Sequence, residues 1–533
     1  LSRKGQRRDR GAPKRAPQTR TARSAPAFAL LGSLAAILAL QLALCAGRFQ
    51  APFLDTRLHY DHDNALFTFY ARNGLRNGDW RSQSGVTVNA YARWGERVGI
   101  PAYYTHHPFL GMTLFQQYAR LAGTGENASR SFALIVSFGI AAGALVIFRD
   151  AIGRTLPALA GAATLVSLPL FALYQTTLKF ETQGMLAGVW LYAALSAYPR
   201  RPSRGRLALI GALAAASVLV HWTSALFLAA VAAYLLGRAW RSREPSAWKA
   251  CGAAVAGGLA GAVLLFFAMS ALQGGAAVAW DVLRRQLSVR SAPVAAGEWW
   301  ARQALYARMN FGPLVAWLLG GLGVSLLVLW WRSGKDDPEA AARMPVRRLA
   351  PFFWTTLVVG VVWVVALRQG SFVHVYWQYW LCLPLAALVA MLCAMVPPRP
   401  LPRAIGTLAF GGLLAAWLVA ANGSYRSMVA DRLGVPEDIA FLKTLREERF
   451  PRLVFVPLSE APWNAWFHGP LFEYYTDRPV VAAARPEDLR AGDKVLVLRY
   501  QQREEIARRL GGWSGRSLSG EACGERLCAY DVR

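Results

Sequence analysis

Apolar residues in this chain gather in blocks of about 20, the length a helix needs to cross roughly 30 Å of hydrocarbon. The blocks at 26–46, 131–148, 155–174, 184–198, 207–220, 222–236, 250–272, 312–331, 351–367, 376–396 and 404–421 predict about eleven crossings. Residues 207 to 236 read either as one long helix or as two short ones meeting at His221. A break at His221 puts the basic loops near 199 and 238 on one side, as the preference of Lys and Arg for cytoplasmic loops requires. An odd number of crossings then sets the C-terminus outside. The first block exceeds the 7–15 apolar residues of a cleavable signal, so it reads as a retained anchor.

Between the first two crossings lies a long loop, 47–130, with two amphipathic stretches. One runs from Asp63 to about Leu75, with Leu66, Phe69 and Tyr70 on one side. The other starts at Pro108 and repeats Met112, Phe115 and Ala119 at helical spacing. Neither is long and apolar enough to span, and both are expected to lie on the membrane interface. A second outer loop, 273–311, carries Trp299, Trp300, Tyr306 and several arginines.

After Ala421 the pattern becomes that of a small soluble unit. Pro436 opens a helix, LVFVP (453–457) and KVLVL (494–498) read as buried strands, and QQREEIARRL (501–510) reads as a helix. The fold class is thus a polytopic α-helical membrane protein with a small C-terminal α/β extracytoplasmic domain. Its divisions are a basic cytoplasmic tail over 1–25, a transmembrane part over 26–425 and the soluble domain over 426–533.

Composition strengthens the membrane assignment, with AVILMFWYC at 55% and charged residues at 17%. A formal net charge of +28 would suit a nucleic-acid binder, but the charge is clustered between spans. Nine Lys or Arg fall in the first 23 residues, and Arg200, Arg201, Arg204 and Arg206 crowd one loop. That is the positive-inside pattern, and it argues against nucleic acid as a partner. Twenty tryptophans fit interfacial belts; Trp299 and Trp300, lying in a loop, are the best candidates for stacking on a sugar. Cys523 and Cys528 are spaced to clip a short turn, and an outside location would allow a disulfide.

Parity also sorts the polar residues. All seven histidines, His59, His62, His106, His107, His221, His374 and His468, fall in outer loops, at outer helix ends or in the tail. Asp55, Asp61 and Asp63 join them, while no predicted span carries a charge at its middle. Chemistry is expected at the outer membrane surface. Asp63 is suited to take a proton from a hydroxyl at a water–lipid boundary, or else caps the helix beside it. Asp61 with Asp63 resembles a two-carboxylate metal motif, but two acids on a loop are too few for a closed site. No cofactor is required, and Asp61 is expected to orient the base or the acceptor.

The segments DHDNALFTFYARNGLRNGDW (61–80), YYTHHPFL (103–110) and GENASR (125–130) resemble the first outer loop of the GT-C glycosyltransferases. The likeness is to the family 39 group, which includes the protein O-mannosyltransferases and the lipid A aminoarabinose transferase. It continues through LKFETQGML (178–186), VHWTSAL (220–226) and HVYWQYWLCLP (374–384). The resemblance implies a polyprenyl-phosphate sugar donor, direct transfer without a nucleotide, and Asp63 as the catalytic acid residue. It places His107, Arg130, His221 and His374 where a lipid phosphate would lie. Glu181 matches an acidic position that would touch the sugar, although Lys179 nearby could simply pair with it. Three positions depart from the family pattern: Asn64 replaces a usual Glu, and His107 and His221 stand where Lys is common.

The expected function is therefore a membrane glycosyltransferase moving a sugar from polyprenyl phosphate to a lipid, glycan or protein hydroxyl, a hexosyl or pentosyl transferase that inverts configuration. The expected location is the inner membrane, N-terminus cytoplasmic and C-terminal domain periplasmic. The alternative is a lipid or glycoconjugate transporter or flippase, whose class usually carries ionisable residues or broken helices near the bilayer midplane.

Overall fold

The computed structural model of the chain describes residues 25–49, 52–53, 60–77, 107–312, 345–395, 436–456, 463–482, 489–498, 518–524 and 527–533. The predicted spans 312–331 and 404–421 lie almost wholly outside these residues. So do the basic tail, the triplet Gly78-Asp79-Trp80 and the predicted helix 501–510.

Among the described residues, six stretches are long and apolar enough to cross a membrane: Phe28–Arg48, Glu126–Ile152, Trp222–Ser242, Pro245–Gln273, Arg347–Ala366 and Val375–Ala394. The bundle starts with α1 (Ala25–Cys45), followed by α2 (Tyr60–Asn77) and α3 (Leu110–Ala122) in the first loop. Next come α4 (Glu126–Ile152), α5 (Thr155–Ser167), the short α6 (Pro169–Tyr174) and α7 (Phe180–Ala197). The predicted span 155–174 is broken between α5 and α6, because Leu168 precedes Pro169 and takes ψ 130 instead of a helical value.

Two helices meet at His221, as the charge pattern favours: α8 (Arg204–Val220) and α9 (Trp222–Ser242). His221 itself is extended, with φ −160 and ψ 149, and its ring accepts from the Thr223 backbone N–H at 3.2 Å. It therefore serves as the N-cap of α9, satisfying one of the donors a helix start leaves open. The long α10 (Pro245–Gln273) packs along α8 through small residues. A Cβ on Gly261 would come within 2.7 Å of the Ala215 carbonyl oxygen, so only glycine allows this approach. On the other side of α10, Leu259, Val263 and Phe267 are exposed and suited to lipid.

The second predicted loop, 273–311, is not irregular. It forms α11 (Ala276–Arg290) and α12 (Ala296–Phe311), so Trp299 and Trp300 lie on a helix. Trp299 is buried, donating from Nε1 to Ser371 Oγ at 2.9 Å, which removes the loop argument for sugar stacking. The bundle closes with α13 (Pro345–Ala366), α14 (Arg368–Val373), a 3-10 stretch over Val375–Leu381 and α15 (Cys382–Ala394).

The C-terminal unit contains α16 (Pro436–Glu447), β1 (Leu453–Phe455), α17 (Trp463–Thr476), β2 (Val480–Ala482), β3 (Lys494–Leu498), β4 (Leu518–Cys523) and β5 (Leu527–Val532). Its five strands run in the order β2-β1-β3-β5-β4. β1 is parallel to both β2 and β3, and the hairpin β4–β5 adds antiparallel to β3. Cys523 and Cys528 face each other across that hairpin and form a disulfide.

The two stretches of the first loop are helical as expected, but they do not lie on an open interface. Residues 61 to 71 of α2 are all buried. The reason is a shared core: Phe69, Met112 and Phe115 pack in one cluster with Leu442, Phe455, Phe472 and Tyr475. The C-terminal unit thus covers the helix that carries Asp63.

Candidate active site

Helix direction sorts the polar residues by end. Asp150 near the end of α4 pairs with Arg200 beyond the end of α7, so these helices run the same way and start at the same face. The starts of α4 and α7, the His221 break and the end of α1 therefore gather at the face opposite the basic loop of Arg200 to Arg206. Every candidate residue of the site lies at this end.

Asp63 stands in the first turn of α2, where a carboxylate is favoured by the positive end of the helix. It does not cap the helix, which begins three residues earlier at Tyr60. Its Oδ2 pairs with the Lys179 ammonium, and its Oδ1 lies 2.9 Å from His62 Nδ1. Lys179 therefore belongs to Asp63 and not, as its spacing in sequence suggests, to Glu181. The local fold explains the pairing. Asn64 donates to the Thr176 carbonyl at 3.1 Å and accepts from the Leu178 N–H at 2.8 Å, holding the turn that presents Lys179. The position where the family usually has Glu is thus occupied here by an amide that can both donate and accept.

Asp61, two residues earlier, faces Arg130 at 3.4 Å. Arg130 also donates to the carbonyls of Arg48 at 2.6 Å and Pro52 at 3.1 Å and lies over the Phe53 ring. This arginine anchors the chain leaving α1. Arg48 continues the anchoring by donating to the Leu173 carbonyl at 2.6 Å and Thr176 Oγ1 at 3.0 Å.

On the other side of Lys179 lies a second group. His221 Nδ1 is occupied by Thr223, so Nε2 turns toward Glu181 Oε1, 3.7 Å away. His107 stacks between Phe180 and His221, with ring centres 4.7 and 5.2 Å apart. The Lys179 ammonium stands 3.5 Å from the centre of the Tyr376 ring, and His374 lies 5.2 Å from the same ring. His374 also stacks on Trp377, and the Arg290 guanidinium lies 5.9 Å from that indole. The charges of Lys179, Asp63 and Arg290 all reach Glu181. Asp63, Glu181, His107, His221 and His374 are thus brought around Lys179, while Asp61 and Arg130 form the adjoining anchor. Among the described residues no three His, Cys, Asp or Glu side chains converge in the manner of a metal site.

Comparison with solved structures gives a match over nearly the whole chain. The crystal structure of ArnT from Cupriavidus metallidurans bound to undecaprenyl phosphate superposes with a TM-score of 0.61 at 13% identity, covering 94% of this chain and 97% of that one. The chain has the GT-C fold. The same ArnT in its apo state gives 0.55 at 13% identity, over 95% of this chain and 98% of that one. Archaeal oligosaccharyltransferase AglB from Archaeoglobus fulgidus, in complex with an inhibitory peptide and a dolichol-phosphate, gives 0.53 at 11% identity. That match covers 86% of this chain and 65% of AglB. In sequence the chain matches no family model and no curated protein.

Within this GT-C fold, sequence reasoning missed Lys179, Tyr376 and Arg290 as parts of the site. A signal for Lys179 was present. It is a cation just before the start of an apolar helix, at the end away from the basic loops, where both the helix dipole and the clustering of basic residues at the other end disfavour it. Such a residue needs a partner, and a carboxylate supplies one.

Proposed function

We propose that this chain is a membrane glycosyltransferase that moves a sugar from a polyprenyl-phosphate donor to an acceptor hydroxyl at the outer face of the membrane. The observation that carries the reading is the Asp63–Lys179 pair, a carboxylate and an ammonium buried together at the end of a GT-C bundle away from its basic loops. A transfer of this kind needs a base for the acceptor proton and fixed cations for the leaving phosphate. Asp63 is the base. Arg290, with His107, His221 and His374, lines the side on which the phosphate departs, and Glu181 faces the sugar. Attack by the hydroxyl on the anomeric carbon, opposite the phosphate, inverts configuration there.

The structural likeness to an ArnT that holds undecaprenyl phosphate supports the donor class. The acceptor is a hydroxyl of a lipid, a glycan or a protein. The test is transfer in vesicles from a polyprenyl-phosphate sugar, with the product identified by its added mass. Asp63→Asn should lower the rate by about 10²–10⁴. A well-folded Asp63→Asn protein with the normal rate removes Asp63 as base. Movement of a lipid across the vesicle wall without any covalent product replaces the enzyme reading by a transporter.

A further inference from the structure

We infer that Lys179 is a shared counterion, which neutralises Asp63 at rest and passes to the donor phosphate as transfer proceeds; the inference rests on the function proposed above. As observed, Asp63 is a poor base. One carboxylate oxygen is held by the Lys179 ammonium and the other meets His62. A cation in contact favours the charged form of an acid and so weakens it as a proton acceptor. Either the pair is permanent and Asp63 never takes a proton, or Lys179 leaves it during the reaction.

The surroundings favour departure. Lys179 occupies the extended position just before α7, so its flexible four-carbon stem is not tied into a helical turn. Its ammonium already rests against the Tyr376 face at 3.5 Å, with Tyr174 behind at 5.1 Å. An aromatic face stabilises a cation without binding it in one direction. Across that ring are His374 and, through Trp377, Arg290. Tyr376 thus forms a path from the carboxylate to the corner where a phosphate would find its other cation.

Charge accounting gives the reason for the transfer. Before reaction, Asp63 and the phosphodiester of the donor each carry one negative charge. The acceptor O–H proton then passes to Asp63, and the acceptor oxygen bonds to the anomeric carbon. The bond from that carbon to the phosphate oxygen breaks, and its electron pair stays on the phosphate. Asp63 ends neutral and the phosphate gains a second negative charge. Lys179 keeps its proton throughout, and the charge it must balance moves from the carboxylate to the phosphate. Its attraction to the phosphate is greatest as the bond breaks, which is where a fixed cation lowers a barrier.

The experiment measures binding of undecaprenyl phosphate to the purified full chain in nanodiscs, together with sugar transfer. Asp63→Asn releases Lys179 and should bind undecaprenyl phosphate about tenfold more tightly than the wild type, the gain of one charge-assisted hydrogen bond. The double variant Asp63→Asn with Lys179→Gln removes both charges of the buried pair together and should fold, yet should lose that gain. Asp63→Asn binding no tighter than the wild type, or a double variant retaining the full gain, overturns the inference. If the wild type itself binds no undecaprenyl phosphate and transfers no sugar, the functional reading falls and takes the Lys179 inference with it. A wild type that binds and transfers, with variants that show no coupling, sinks the Lys179 inference alone.

Discussion

Arg72 of α2 donates to Asp477, at the end of α17, at 2.9 Å, and so joins the helix bearing Asp63 to the C-terminal unit. Arg76, one turn further along α2, reaches the other oxygen of the same carboxylate at 2.5 Å, and Arg446 of α16 approaches it at 3.5 Å. Asp477 is wholly buried and sits at φ +56, in the left-handed region that Asn and Asp enter more readily than most residues. Arg72 also lies over the Tyr474 ring, and the Tyr475 hydroxyl accepts from the Phe53 N–H at 2.7 Å. The C-terminal unit therefore fixes both α2 and the chain that leads into it.

Asp477→Asn tests this clamp. Asparagine keeps the backbone conformation and the shape, so only the charge is lost, leaving three arginines around a neutral amide. Breaking a buried ion pair from one side costs about 3–5 kcal/mol, less here because the arginines are partly exposed. The expected result is easier proteolysis between the bundle and the C-terminal unit, with transfer reduced although Asp63 and Lys179 are untouched. Unchanged protease resistance and unchanged transfer would show that the shared apolar core holds α2 without the clamp.

The same carboxylate sets a pH dependence of known sign. Burial alone would raise the Asp477 pKa, but the hydrogen bonds and charges of Arg76 and Arg72 outweigh it and hold the group below its ordinary value of 3.8. A depressed carboxylate pKa contributes stability that is complete above the unfolded value and disappears as pH falls through the folded one. Docking of the C-terminal unit should thus be constant from neutral to mildly acid pH and fail only under strong acid. A pH series of protease protection reads this out. A loss already at mildly acid pH, still present in Asp477→Asn, would assign the sensitivity to another group.

How far the fold could be read from the chain depended on the range of the contacts involved. The His221 break was legible because parity and the basic loops at 199 and 238 constrain it, and both are local sequence facts. The helix of Asp63 was legible from the spacing of Leu66, Phe69 and Tyr70. Its burial was not, because Arg72 meets Asp477 across 405 residues of sequence and no local pattern records that. The partner of Lys179 was not legible for the same reason. Glu181 is two residues away, but successive residues at a helix start point in different directions. The turn held by Asn64 directs the lysine to Asp63 instead.

His221 combines a cap with a place in the site, and two substitutions separate these. His221→Ala removes the acceptor for the Thr223 N–H and should cost about 1 kcal/mol. His221→Asn restores a good cap but loses the ring edge that faces Glu181 at 3.7 Å. Both lose the contact with the Trp363 ring, so that loss cancels in the comparison. Thermal unfolding should therefore be lower for Ala than for Asn, while transfer falls in both. Full transfer by His221→Asn would reduce His221 to its capping role.

Sidedness admits a direct chemical test, because the native cysteines leave the background low. Cys45, Cys251, Cys382 and Cys393 are buried, and Cys523 and Cys528 are joined to each other. A thiol reagent that cannot cross membranes should accordingly label an introduced cysteine and little else. Leu121, at the end of α3 on the side of the site, is 91% exposed and suits one such position. Ser242, exposed at the end of α9 beside the basic residues 238 to 249, suits the other. If Asp63 works at the outer face, Leu121→Cys reacts in sealed cells whose inner membrane is accessible from outside, and Ser242→Cys reacts only after that membrane is opened. The reverse pattern would put the Asp63–Lys179 pair in the cytosol. No polyprenyl-linked donor presented at the outer face could then reach it, whatever the fold resembles.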